Sequence, residues 1–261
     1  MSELNSGQSA TKLRVVKILF NAFTLVWFRR AGFMRALWLP FLLILALVGA
    51  WYFSQTSLPS GFQWVYAAAY YFLLVLFVVN CHRVVLLNSH RTNEWAVPKW
   101  SWRETRFLGW TAFIWIIAVA CGMVVSIIVL TIIGNAMPRF LGPENLQSST
   151  LTLISGYFMK GIYIYIFARS CLMFPSIAVD KILSFQQAIK SSRGNGWRLA
   201  IVVSVIPLAM QIITNIVYRD DATAWEYMLW LTITCALLTV EIAALSLSYR
   251  ELVEHAATDQ P

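Results

Sequence analysis

Charge is what this sequence has least of. Asp, Glu, Lys and Arg make up 12% of its 261 residues, about half the roughly 25% usual in soluble domains. That shortage argues against water as the main solvent. Histidine is also rare: His82, His90 and His255 lack ligand spacing, and no acidic cluster could hold a divalent ion, so no metal is expected. The four cysteines, Cys81, Cys121, Cys171 and Cys235, include no close pair and read as small buried residues in a reducing environment. There is no nucleophile–base pair, phosphate-binding glycine loop or dinucleotide fingerprint. Neither catalytic residues nor a cofactor are therefore expected. The first ten residues lack the charged start and short apolar core of a cleavable signal, so the first span should act as the insertion signal and stay.

What the chain does have is apolar length. Hydrophobic residues reach 59%, with 12 Trp, 10 Tyr and 16 Phe and a mean hydropathy of +0.66. A bilayer core roughly 30 Å thick takes about 20 apolar residues at about 1.5 Å each. Six stretches qualify, at about 36–54, 63–80, 110–133, 151–167, 199–218 and 225–247. They predict an all-α integral membrane protein, a single polytopic domain over 1–261 with a tail from 248 to 261.

The cations set its direction. Before the first span lie Lys12, Arg14, Lys17, Arg29, Arg30 and Arg35. Arg83, Arg91, Lys99, Arg103 and Arg106 lie between the second and third spans. Arg169, Lys181, Lys190, Arg193 and Arg198 lie between the fourth and fifth, and Arg250 follows the sixth. The other side holds only Arg139 and Arg219. This asymmetry predicts that both termini lie on the cytoplasmic side. The net charge of +8 is then explained by topology and anionic lipid headgroups rather than by nucleic acid. In residues 11–29, Arg14, Lys17, Asn21 and Thr24 recur at helical steps, which predicts an amphipathic helix along the inner membrane face.

The inner loops repeat themselves. Arg106, Gly109 and Trp110 return as Arg193, Gly196 and Trp197, and Arg83 returns as Arg169. Arg35 and Trp38 make a looser first copy, and Arg250 is a third terminal arginine. Ser101 with Glu104, and Ser184 with Gln187, have capping-box spacing. A threefold unit follows: an interfacial amphipathic helix, an outward span, and a return span ending in arginine.

The third unit runs from Arg169 through Pro175, Ile177, Val179 and Asp180 to Ser184, Ala188, Ser191, Ser192 and Trp197. It resembles a broad group of bacterial multi-span membrane proteins that includes the membrane domain attached to some glycerophosphoryl diester phosphodiesterases. About 30 residues carry the likeness closely, and the Pro–Ile–Val–Asp stretch occurs in this unit only. The resemblance implies a multi-span inner-membrane fold. It does not imply phosphodiesterase chemistry, which would need a separate soluble barrel; six spans with short connections are expected to use most of these 261 residues.

Two ionisable residues interrupt the apolar runs. Lys160 precedes Arg169 by nine residues, and Glu241 precedes Arg250 by nine, so both should lie about 13 Å deep. Equal depth and opposite sign suggest an ion pair, since an unpaired charge there costs on the order of 3 kcal/mol. Ser204, Pro207, Gln211 and Asn215 form a polar stripe on the fifth span that should face the bundle interior. These residues read either as a structural polar core or as a relay or substrate site. Gly156 and Gly161 should allow close helix packing. Trp95, Trp100 and Trp102 read as an interfacial anchor, and His82 and His90 as headgroup-facing loop residues.

Three roles fit. Short loops and missing catalytic residues favour a non-enzymatic assembly or envelope-organising protein, with a membrane-protein partner or a second copy. A small transporter or channel would use Lys160, Glu241, Gln211 and Asn215. A lipid-active membrane enzyme is the third.

Overall fold

The computed structural model describes residues 12–54, 61–87, 100–136, 148–181, 183–217 and 223–254, with backbone only at 133–136, 148–154 and 214–217. Almost all of these residues are helical, and no strand occurs among them. The helices are α1 (Val15–Phe28), α2 (Arg30–Ser54), α3 (Phe62–Leu86), α4 (Trp102–Ala136), α5 (Ser148–Ser170), α6 (Met173–Ala178), α7 (Phe185–Ser191), α8 (Gly196–Val217) and α9 (Ala224–Tyr249). A five-residue π-helical turn, Arg250–Glu254, continues α9. Five of them, α2, α3, α4, α8 and α9, are long and apolar enough to cross a membrane. His90, Trp95, Arg91, Arg139, Arg219, His255 and the side chain of Asn215 lie outside the described residues.

Helices adjacent in sequence pair as hairpins: α2 with α3, α4 with α5, and α8 with α9. α9 is the hub, touching α1, α2, α3 and α8. Its last turns are built from Ala243, Ala244, Ser246 and Ser248, all buried. Such small residues let neighbouring backbones approach. Glycine does the same elsewhere. A Cβ at Gly122 on α4 would lie 2.6 Å from Met159 Sδ on α5, and one at Gly49 on α2 would lie 2.8 Å from Met228 Cε on α9. Gly156 and Gly161 differ from expectation: a Cβ there meets nothing within 4 Å, so they open on space rather than on a helix.

α6 is buried throughout, wedged among α3, α4 and α9. Pro175 sits in its first turn, where a missing N–H leaves nothing unpaired. The helix ends by reversing: Asp180 N–H donates to Ile177 O at 3.1 Å and Lys181 N–H to Ser176 O at 2.9 Å. Asp180 takes the left-handed conformation, φ 59°, that this kind of stop requires. The Pro–Ile–Val–Asp stretch is therefore one buried helical turn and its terminator.

α1 has three faces rather than two. Ile18 and Ala22 are buried against the bundle, while Arg14, Lys17 and Asn21 are exposed. Val16, Phe20, Phe23 and Trp27 form a second exposed stripe, wholly apolar. Asn195, between α7 and α8, anchors the start of α1 by accepting from Leu13 N–H at 2.9 Å.

Other expectations change with the packing. The second inner loop holds no separate amphipathic helix among its described residues, because α4 runs unbroken from Trp102. The tail begins as a continued helix: Leu252 is buried, and Glu254 accepts from Lys181 Nζ at 3.0 Å. Cys81, Cys171 and Cys235 are buried, but Cys121 is exposed.

Candidate functional site

The ends of α3, α5 and α9 and the starts of α4 and α8 meet at one end of the bundle. Three arginines hold it together by donating to backbone carbonyls of other elements. Arg83 Nη1 donates to Ala178 O, the last residue of α6, at 3.2 Å. Arg169 donates to Ser192 O at 2.9 Å and Ile189 O at 3.0 Å, at the end of α7. Arg250 donates to Val85 O at 3.0 Å, near the end of α3. Helix C-termini leave carbonyls unpaired and carry partial negative charge, so a guanidinium there satisfies both needs. Asp180 joins the cluster, with its carboxylate 3.1 Å from Arg103 Nη1 and 3.8 Å from Arg83 Nη1.

Capping chemistry starts the neighbouring helices. Ser184 and Gln187 form a reciprocal capping box at α7. Glu104 accepts from Ser101 N–H at 2.7 Å and also bonds the Ser101 hydroxyl. Thr223 with Glu226, at the same spacing, forms a capping box at the start of α9. The Arg–Gly–Trp matches are not equivalent in space. A Cβ at Gly196 would lie 3.0 Å from Arg169 Cδ, whereas one at Gly109 meets nothing within 4 Å. Trp110 stacks on Phe185 with ring centroids 6.3 Å apart, while Trp197 is exposed beside the Arg198 guanidinium. Arg193 is exposed. Trp100 stacks on Phe72 at 4.0 Å, and Trp102 is exposed.

A cleft of about 580 Å³ opens farther along the bundle, between α4, α5, α8 and α9. Lys160, Glu241, Ser204, Pro207, Gln211 and Tyr163 line it, with apolar side chains forming the rest. The structure thus gathers most of the sequence-predicted polar core in one place. It does not pair the charges: no carboxylate of the described residues lies within 4.0 Å of Lys160, whose Nζ sits 5.8 Å from the Tyr157 ring centroid. The polar stripe of α8 faces this cleft rather than a packed interior, with Pro207 and Gln211 exposed.

One polar contact went unforeseen. His82 is 1% exposed within α3, not loop-borne, and its Nδ1 lies 2.8 Å from Ser246 Oγ on α9. The Ser246 hydroxyl donates to Ile242 O, so the satisfied arrangement has Nδ1–H donating to Ser246 Oγ. Both side chains are buried, and the dyad ties α3 to α9. Among the described residues no three His, Cys, Asp or Glu side chains group as a metal site. No protein-family model, curated protein or solved structure matches the chain.

Proposed function

We propose that this is a six-span carrier or channel of the bacterial inner membrane, with both termini cytoplasmic, whose site is the cleft holding Lys160 and Glu241. The cleft carries the reading. An ionisable base and an ionisable acid line one cavity at matching distances from the arginines ending their helices, with no direct ion pair between them. Bare charges at such depth cost on the order of 3 kcal/mol each. Water, an ion or a polar solute in the cleft offsets that cost. Its volume is that of a small-molecule site, and the opposed charges fit a zwitterionic or ion-coupled substrate. An assembly role, the first expectation from the sequence, gives no reason for two opposite charges lining a shared cavity.

α5 is the proposed sixth crossing. Its 23 residues span about 35 Å, and it packs against α4. The positive-inside asymmetry supports a cytoplasmic basic end. The three carbonyl-binding arginines support a threefold unit, and the buried α6 turn is the part that would be shared with the phosphodiesterase-associated membrane domains. The outward apolar stripe of α1, flanked by Arg14, Lys17, Arg29 and Arg30, suits the anionic inner leaflet.

Thiol accessibility tests the cleft. On a Cys121→Ala background, Lys160→Cys should react with a small water-soluble methanethiosulfonate about tenfold faster than Tyr165→Cys, since the reactive thiolate forms only where water reaches. Equal, slow reaction at both positions would make the cleft dry and remove the carrier reading.

A further inference from the structure

We propose that the groove between the start of α4 and α7 is a binding site for one anionic phospholipid, with its phosphodiester on Arg106 and Arg103 and an acyl chain along Gly109 and Phe113. This site is separate from the Lys160 cleft and requires only that the basic end face a membrane surface.

The headgroup half is a pocket of about 260 Å³ bounded by Arg103, Arg106, Asp180, Ser184 and Phe185. Arg103 is already engaged, with Nε 3.3 Å from Glu104 and Nη1 3.1 Å from Asp180. Arg106 is not: it is exposed, no acidic group of the described residues lies within 4.0 Å of it, and its neighbour is the Trp102 ring at 5.8 Å. The local cluster of Arg83, Arg103 and Arg106 against Glu104 and Asp180 is left one positive charge in excess. A planar guanidinium with free donors matches a phosphodiester in charge and geometry.

The chain half adjoins it. A second hollow of about 290 Å³ shares Arg106 and Trp110 with the first and continues along Gly109 and Phe113. Gly109 has open space where a side chain would stand. Trp110, Phe113 and Phe185 wall the passage, with centroids 5.3 to 6.4 Å apart. About two turns of α4 thus carry a cation, a missing side chain and an aromatic wall in that order, going away from the basic end. A soluble phosphate would use only the cation. A lipid uses all three, and the apolar trough beside Arg106 is why lipid is the occupant proposed.

Native mass spectrometry of the full chain in detergent, titrated with dioleoyl phosphatidylglycerol, phosphatidylcholine or glycerol phosphate, tests this. The wild type should retain one phosphatidylglycerol in preference to phosphatidylcholine. Arg106→Gln should weaken it about tenfold, the loss expected for one charge-assisted contact. Gly109→Leu, which fills the trough, should weaken it comparably while melting as the wild type does. Lys190→Gln, an exposed cation elsewhere on the same end, should change nothing. Loss on Arg106→Gln with no effect of Gly109→Leu, or glycerol phosphate binding as tightly as the lipid, would replace the lipid with a soluble phosphate ligand and overturn the proposal. Equal loss with Lys190→Gln would reduce it to general surface charge and overturn it too.

Discussion

Replacing Arg169 with alanine lowers the stability of the folded chain by about 3 kcal/mol, because two charge-assisted hydrogen bonds of about 1.5 to 3 kcal/mol each are lost, less a discount for partial exposure. The side chain reaches from the end of α5 to the carbonyls of Ile189 and Ser192, and Ser192 Oγ answers by donating to Arg169 O at 3.2 Å. Removing the guanidinium strands the end of α7 and loosens the turn that leads into α8. Arg169→Lys keeps the charge but not the fork, so it should recover only part of the loss. Gly196 supplies the control. Gly196→Ala pushes a methyl to 3.0 Å from Arg169 Cδ and 3.3 Å from Nη1, costing about 1 to 2 kcal/mol. On the Arg169→Ala background that cost should largely vanish, giving a coupling of about 1 kcal/mol or more in a double-mutant cycle read from chemical or thermal unfolding in detergent. Additive effects would mean that the glycine has some reason other than room for the arginine.

Replacing His82 with alanine should cost about 2 to 4 kcal/mol through the buried cavity it leaves and the partner it removes from Ser246. The reason lies in the seam between α3 and α9, where Cys81 Sγ also donates to Thr239 O at 3.7 Å. Ser246→Ala should cost about 1 to 3 kcal/mol, because it leaves the buried His82 Nδ1–H without its acceptor while the imidazole keeps its packing against Phe107. If the dyad were instead catalytic, Ser246→Ala would leave the melting temperature unchanged and wild-type Ser246 would be labelled by fluorophosphonates. The burial of both residues predicts no labelling.

These residues also show what the sequence could and could not reveal. Apolar length located the five helices long enough to cross a membrane, and α1 lies inside the segment 11–29 expected for it. α2 and α4 begin at Arg30 and Trp102, ahead of the apolar stretches that start at 36 and 110. Hydropathy ends at the first cation, whereas a helix continues into the headgroup region, where Arg and Lys are at home. Counting back from the terminal arginines placed Lys160 and Glu241 correctly in one neighbourhood, because α5 and α9 both end at the basic end. It could not predict that they stay apart, since the rotation of each helix is set by packing. Gly156 and Gly161 were misread for the same reason. His82 looked loop-borne beside Arg83, and its burial is decided by small residues on α9, far away in sequence. The Arg–Gly–Trp recurrence was visible, yet its two glycines differ: a Cβ at Gly196 would press on the Arg169 side chain, and one at Gly109 would meet nothing.

In the proposed arrangement the chain crosses the bilayer six times, with its arginine-clasped end in the cytoplasm. Impermeant thiol labelling of Trp102→Cys and Lys190→Cys tests it most directly, because exactly two proposed crossings, α4 and α5, separate these exposed positions. Both should be modified in inside-out vesicles and protected in right-side-out ones. Labelling of the two from opposite faces would remove α5 as a crossing, and labelling of both from the outside would invert the whole arrangement.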